Sequence, residues 1–352
     1  MAVQRSTPSR SPPATADTRP SGTGSTPDDK QHIPQTSPER LAAEAADRQD
    51  ADGGAKQPDT ILYLAYGSNM AAQTFQGMRG IRPLSQVNVS VPTLRLTFDL
   101  PGIPYREPCF ANVDYRKMPE KPILPTPPLP LPEWDGGLMG VVYEVTKSDY
   151  RQIMRTEGGG TSYKEIYVPC IPLPAGVEIP ERPPFDKLPK PFVARTLYCP
   201  SLPQDVPIKR KWWQRLFSRP NRSGSGAQAS ERYLNLLRDG AREHELPEVY
   251  QKYLNSLQSY QITSWKQMVG QVLLLSIGGP AFLTMVTIGR FFADENGKFP
   301  AILAAGMSFI FNAIWGAYDC VFKPLFGDGE RTMEPGKTRA GVVAAERRPL
   351  LG

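Results

Sequence analysis

The sequence predicts an α+β domain followed by two long apolar helices. Between residues 60 and 258, short strand-like runs alternate with a few helical segments, which is typical of an α+β fold. Residues 268–289 and 299–318 contain no charged side chain, and each has about the 20 residues that a membrane-spanning helix needs. Residues 1–57 are rich in Ser, Thr, Pro and Asp and poor in large apolar side chains, which predicts a disordered tail.

Composition narrows the functional classes. The net charge of +6 is modest and spread over several segments, and no zinc-finger or RNA-binding motif is present, so nucleic acid is not an expected partner. The four cysteines lack metal-ligand spacing, and a reducing, cytosolic environment is the simpler interpretation. The two histidines are His32, in the predicted tail, and His244, in a charged helical stretch. A general base is therefore expected to be a carboxylate.

The stretch at residues 62–70 carries the strongest local signal. Residues 61–66 form an apolar run that predicts a buried strand, and Gly67 interrupts it. Ser68 and Asn69 are favoured helix N-cap residues, so a helix is expected over residues 70–75. Unpaired backbone N–H groups at such a turn can hold a carboxylate or an oxyanion. An ordinary strand-to-helix turn is the alternative interpretation.

Further strands and helices follow, with two insertions between them. The predicted strands are residues 94–100, 110–113, 136–145, 163–170 and 193–198, and the predicted helices are residues 147–156, 230–238 and 247–256. Residues 118–133 are a proline-rich insertion that cannot join a sheet interior. Residues 200–229 form a basic insertion in which Trp212 and Trp213 lie beside cationic side chains. This insertion fits either an anionic membrane surface or an exposed basic loop.

The two apolar segments predict a transmembrane helical hairpin within residues 259–325. The polar turn at residues 290–298 joins them, and both are rich in small residues that allow close helix packing in lipid. Basic residues flank the pair at both ends, including Lys266 and Lys323, which places both ends of the chain in the cytosol. A pair of buried helices in a soluble protein is the alternative. Residues 326–352 predict a second, basic, disordered tail.

Three motifs together resemble the γ-glutamylcyclotransferase family, whose members release 5-oxoproline from γ-glutamyl amines or peptides. They are Tyr-Gly-Ser-Asn at residues 66–69, Glu-Gly-Gly-Gly-Thr-Ser-Tyr at residues 157–163, and the helical ending from residue 230 to residue 250. The resemblance covers about residues 60–258 and implies a small, mixed, barrel-like sheet ringed by helices. The insertions and the C-terminal hairpin lie outside it and look more like a filamentous-fungal branch of the family.

The resemblance also implies the site residues. Glu157 corresponds to the catalytic acid that moves a proton from the substrate α-amine to the leaving amine. A solvated residue at a helix end is the alternative for Glu157. The residues expected to bind the substrate are Tyr63, Leu64, Ala65, Tyr66, Gly67, Ser68, Asn69, Tyr163 and Tyr198. Tyr163 and Tyr198 are expected as cavity walls or hydrogen-bond donors, or else as core tyrosines. No metal or organic cofactor is expected.

The sequence thus predicts a membrane-anchored γ-glutamylcyclotransferase whose catalytic domain faces the cytosol. Its partner is a small γ-glutamyl compound, and the leaving group is an amino acid, a peptide or a larger thiol adduct. The alternative is a non-catalytic protein that binds a metabolite or recruits partners at a membrane. The intact Glu157 and the motif at residues 66–69 favour the enzyme.

Overall fold

A computed structural model of the chain describes residues 33–46, 59–116, 134–156, 163–173, 190–200, 222, 226–292 and 300–333. Several predictions concern residues outside these ranges. They are the role of Glu157, the proline-rich insertion, most of the basic insertion, the turn of the apolar hairpin and most of both predicted tails.

The described elements follow one another in an α+β order. They are α1 (Pro38–Ala46), β1 (Thr60–Ala65), a 3₁₀ turn (Ser68–Met70), a π-helix (Gln73–Met78), β2 (Ser85–Val91), β3 (Leu94–Ile103), β4 (Glu107–Tyr115), β5 (Leu138–Thr146), α2 (Lys147–Thr156), β6 (Lys164–Pro172), β7 (Phe192–Tyr198), α3 (Glu231–Glu243), α4 (Glu248–Ser256), α5 (Trp265–Phe291), α6 (Ala301–Ala317), a second π-helix (Tyr318–Phe322) and α7 (Lys323–Phe326). Helix α2 has the predicted bounds, whereas β2 was not predicted.

Five strands close into a barrel in the order β1-β5-β2-β6-β7. Neighbouring strands run antiparallel except at the seam, where β7 pairs with β1 in parallel. At this seam the Thr196 hydroxyl donates a hydrogen bond of 2.9 Å to the Leu64 carbonyl. Residues 61–65 of β1 are buried on both faces, which explains why this strand reads as a continuous apolar run. The predicted small, mixed, barrel-like sheet is confirmed.

Strands β3 and β4 form a separate antiparallel ribbon that docks onto the C-terminal helices. At its tip Tyr105 has a φ of +63°, and its backbone N–H donates to the Gly329 carbonyl at 2.8 Å. The Trp315 indole N–H donates to the Gly102 carbonyl at 3.1 Å. Tyr105 and Trp315 are each 1% exposed, so both aromatic side chains are buried at the junction between ribbon and helices.

The predicted disordered tail needs correction at residues 33–46, which fold onto the barrel. This segment forms two backbone hydrogen bonds with Gln86 of β2. The Thr36 N–H donates to the Gln86 carbonyl, and the Gln86 N–H donates to the Pro34 carbonyl, each at 2.9 Å. Arg40 of α1 donates to the Glu144 carboxylate at 3.0 Å. Contacts to β2 and β5, distant in sequence, offset the entropy of ordering a segment that has few apolar side chains.

Helices α5 and α6 pack against each other beyond the ribbon. The Gly278 position of α5 lies against Ile314 of α6, where a Cβ would come within 3.0 Å of the isoleucine side chain. Among the described residues, the helix Ala301–Phe326 is long and apolar enough to cross a membrane, and 18% of its most apolar window is buried. Helices therefore lie at both predicted apolar segments, but among the described residues only the second meets the length and hydropathy of a membrane-spanning helix.

Candidate active site

The turn after β1 is helical but differs from the predicted cap. Gly67 occupies the N-cap position of the 3₁₀ turn Ser68–Met70, with no side-chain capping bond. Met70 N–H donates to the Gly67 carbonyl at 3.0 Å, and Ala71 N–H to the Ser68 carbonyl at 3.2 Å. The backbone N–H groups of Ser68 and Asn69 precede the first hydrogen bond of this turn.

A small cavity, partly open to solvent, lies over this turn. Its walls come from β1, the turn, β4, the residue before β6, β7 and α3. The lining residues are Tyr63, Tyr66, Gly67, Ser68, Asn69, Ala111, Tyr163, Leu197 and Tyr233. None of these described lining residues carries a formal charge near neutral pH. The cavity is therefore a neutral, tyrosine-rich space beside backbone donors.

Hydrogen bonds fix the polar side chains on the β1 side of the cavity. Asn69 Nδ2 donates to the Tyr63 hydroxyl at 2.8 Å, and the Tyr66 hydroxyl donates to the Leu197 carbonyl at 2.7 Å. The Tyr63 ring stacks on Phe75 with a centroid separation of 6.2 Å and an interplanar angle of 9°. Asn69 thus points back to β1 instead of capping a helix. These hydrogen bonds attach the turn at residues 66–70, the signature turn, to the barrel.

Helix α3 and strand β4 close the opposite side. Ala111 N–H donates to the Tyr233 hydroxyl at 3.2 Å, and the Tyr233 ring packs edge-on against Phe110. A Cβ at Gly67 would lie 3.2 Å from the Tyr233 hydroxyl and 3.5 Å from the Ala111 Cβ. Glycine at this position therefore lets α3 and β4 approach the turn closely.

The structure brings most of the predicted binding residues together. Leu64 and Ala65 are buried within β1 and do not line the described cavity. Tyr198 packs edge-on against Tyr115 with centroids 5.8 Å apart and also lies outside the lining set. Glu157 directly follows the last residue of α2 and lies outside the described residues, so its role stays a prediction.

Three lining residues were absent from the predicted set. Ala111 and Leu197 lie in strands far along the chain from the turn, and no local pattern marks them as cavity residues. Tyr233 lies in the third motif, so a signal for it was present in the sequence.

A histidine and a tyrosine lie behind the turn, outside the lining set. His244 Nε2 is 2.7 Å from the Tyr143 hydroxyl. Burial lowers the pKa of His244 below its usual value and raises the pKa of Tyr143, so both groups are neutral near pH 7. Within the described residues, no group of three or more His, Cys, Asp and Glu side chains is placed to hold a metal ion.

Comparisons with known proteins identify relatives that match most of the chain. Over 283 residues it is 32% identical to the γ-glutamyl cyclotransferase gliK of Aspergillus fumigatus, covering 80% of this chain and 91% of that protein. It is 28% identical over 283 residues to the γ-glutamyl cyclotransferase aclK of Aspergillus oryzae, covering 77% and 90%. No family model matches the chain.

Solved structures are more distant. A crystal structure of an uncharacterised human protein matches with a TM-score of 0.38 and 17% identity, covering 59% of this chain and 93% of that one. The assignment therefore rests on the sequence relatives. Because the identity to gliK extends over most of both proteins, this chain belongs to the γ-glutamyl cyclotransferase family and is an enzyme of that type.

Proposed function

We propose that this enzyme cyclises the γ-glutamyl group of a small substrate, releasing 5-oxoproline and an amine. The α-amine nitrogen attacks the γ-carbonyl carbon, forming the ring C–N bond, and the bond to the leaving nitrogen then breaks. Of the three protons on the α-ammonium, one stays on the ring nitrogen and two end on the leaving amine. Atoms and charge balance without any other reactant.

In this proposal Glu157 carries the protons between the two nitrogens. Such general acid–base catalysis typically contributes about 10²–10⁴-fold to the rate. The described cavity residues are neutral, so a carboxylate must come from elsewhere in the chain. Glu157 lies six residues before Tyr163, which lines the cavity, and one residue after α2, whose Tyr150 ring contacts that of Tyr63 at 6.1 Å.

The observation that carries the proposal is the cavity over the signature turn. The Ser68 N–H lies at the start of this helical turn, where a backbone donor favours a carboxylate. The α-carboxylate of a γ-glutamyl group supplies such an anion. Holding it there folds the substrate so that amine and carbonyl meet, an effect worth up to roughly 7–11 kcal/mol in ideal cases.

The test follows 5-oxoproline release from γ-glutamyl-alanine and glutathione by the full chain. We expect release from at least one compound, and a loss of about 10²-fold or more for Glu157→Gln. Glu165→Gln is a matched control, because Glu165 follows on β6 in the sequence, accepts a hydrogen bond from Tyr150 and is absent from the described cavity lining. Activity retained by Glu157→Gln, or lost equally in both variants, would remove the assigned role.

We also propose that α5 and α6 insert into a membrane and hold the barrel on its cytosolic side. Both helices expose large apolar side chains, including Ile277, Leu283 and Ile302, to the surroundings. Large apolar side chains exposed in this number are typical of membrane or partner contacts. The alternative of buried soluble helices is disfavoured, because 18% of the most apolar window of Ala301–Phe326 is buried.

Carbonate extraction of membranes tests the insertion. We expect the full chain in the pellet and a chain ending at residue 258 in the supernatant. Recovery of the full chain in the supernatant would contradict insertion. Protease protection of tags at both ends tests the orientation. If both ends face the cytosol, protease added on the cytosolic side should cleave both tags.

A further inference from the structure

The C-terminal end of α3 presses directly against the segment that leaves the signature turn. A Cβ at Gly240 would lie 2.6 Å from the Met70 Cβ and 2.8 Å from the Ala71 nitrogen. The Ala72 N–H donates to the Glu243 carboxylate at 2.8 Å. Two successive turns of α3 thus meet the backbone of residues 70–72.

His244, just after α3, completes this support. Its Nε2 lies 3.0 Å from the Met70 carbonyl oxygen and 2.7 Å from the Tyr143 hydroxyl. The Tyr143 hydroxyl is 3.3 Å from the same carbonyl. One imidazole nitrogen therefore joins α3 to the turn and to strand β5 at the same point.

The contacts determine which nitrogen carries the hydrogen. A carbonyl oxygen only accepts hydrogen bonds, so an unprotonated Nε2 would place two lone pairs 3.0 Å apart. A hydrogen on Nδ1 would be buried with no acceptor among the described residues. His244 is therefore the Nε2–H tautomer, donating towards Met70 and Tyr143, while the Tyr143 hydroxyl donates to the Met70 carbonyl.

We infer that His244 is a positioning residue for substrate binding, acting through the Met70 carbonyl. Fixing this carbonyl fixes the peptide between Met70 and Ala71, one residue beyond Asn69, which lines the cavity and whose side chain bonds Tyr63. A small displacement of a binding turn can reduce catalysis by about 10²-fold. The kinetic part of this inference rests on the proposed function, whereas the structural part does not.

The test compares variants that differ in hydrogen-bonding ability. His244→Leu fills much of the space without a donor, whereas His244→Gln can present an N–H group to the same acceptors. We expect His244→Leu to raise KM for γ-glutamyl-alanine about tenfold or more and to change kcat less. We expect His244→Gln to stay within about threefold of the original enzyme.

Arg242→Gln is the matched control, since Arg242 lies on the same turn and pairs with Asp239 at the surface. We expect no change in KM for this variant. Equal defects in His244→Leu and His244→Gln, or an unchanged KM in His244→Leu, would overturn the inference.

Amide hydrogen exchange provides a readout that needs no activity. In His244→Leu we expect faster exchange in the peptide covering residues 66–75 and unchanged exchange in α2, residues 147–156. Unchanged exchange at residues 66–75 would overturn the inference even if the enzyme were inactive on every γ-glutamyl compound. Absence of 5-oxoproline release by the unsubstituted enzyme would instead refute the proposed reaction, so the two failures are distinguishable.

Discussion

Apolar side chains are buried in the barrel, whereas several large ones are exposed in the C-terminal helix pair. In the barrel, Leu62, Leu64 and Val141 are at most 1% exposed, because strands and helices of the same domain cover them. In the helix pair, Ile277 is 72% exposed and Ile302 is 86% exposed. Each such side chain left in water forgoes about 1.5–3 kcal/mol relative to burial. The barrel supplies its own apolar surroundings, whereas the helices require an outside partner, which we propose to be lipid.

The largest expected effect concerns the junction between these two regions. Trp315→Ala removes a fully buried indole and its bond to the Gly102 carbonyl, and we expect a loss of about 3–5 kcal/mol of stability. Ile302→Ala, in the same helix but exposed, should lower stability by less than about 1 kcal/mol. Calorimetric unfolding of the full chain in detergent measures both. Equal losses would mean that the exposed face is packed in solution.

A second comparison sets two helical glycines against each other. Gly240→Ala should destabilise the barrel by about 1–3 kcal/mol, because the new methyl group would meet the Met70 backbone. Gly316→Ala in α6 has nothing within 4 Å, and alanine is the better helix former by about 0.8–1 kcal/mol. Unfolding midpoints should therefore shift in opposite directions. A shift of the same sign for both would contradict the close approach of α3 to the turn.

The smallest expected effect is a pH dependence in the barrel. Burial lowers the pKa of His244, although its hydrogen bond to the Met70 carbonyl and the nearby Glu243 charge oppose this shift. As pH falls below about 6.5, the unfolded chain therefore binds a proton that the folded chain does not. Stability from this group is complete above that pH and declines towards the lowered folded pKa, by at most about 1.4 kcal/mol per pH unit. His244→Gln should flatten this part of the profile, measured by unfolding between pH 7.5 and 5. An unchanged slope in His244→Gln would mean that other titratable groups cause the pH dependence of stability.

Local patterns were enough to predict the elements with strong local signals. Helix α2 follows from its capping residues, since the Thr146 hydroxyl accepts from the Asp149 N–H. Strand β2 was overlooked although its alternating burial follows the alternation of Val with polar residues in its sequence. Helix α1 was missed although local signals were present, since Ser37 Oγ accepts from the Arg40 N–H and Arg40 pairs with Glu44 one turn on. Its contact with Glu144, about a hundred residues away, could not be predicted from a local pattern.

The cavity shows the same limit. The signature turn and Tyr163 were predicted from motifs, but Ala111 and Leu197 reach the site only because the barrel and the β3–β4 ribbon bring distant strands together. The Asn69 side chain was expected to cap a helix and instead bonds Tyr63. Patterns in a single sequence can identify a binding turn. The order of the strands in the fold determines which distant residues line the cavity beside it.

The docked ribbon has a practical consequence for work with a soluble fragment. Strand β4 supplies a cavity wall at Ala111, and the ribbon tip at Tyr105 depends on Gly327 and Gly329 for two hydrogen bonds. A chain cut after residue 258 would leave that tip and the Gly102 carbonyl uncovered in water. Crystallisation or screening of such a fragment would therefore sample a loosened substrate cavity.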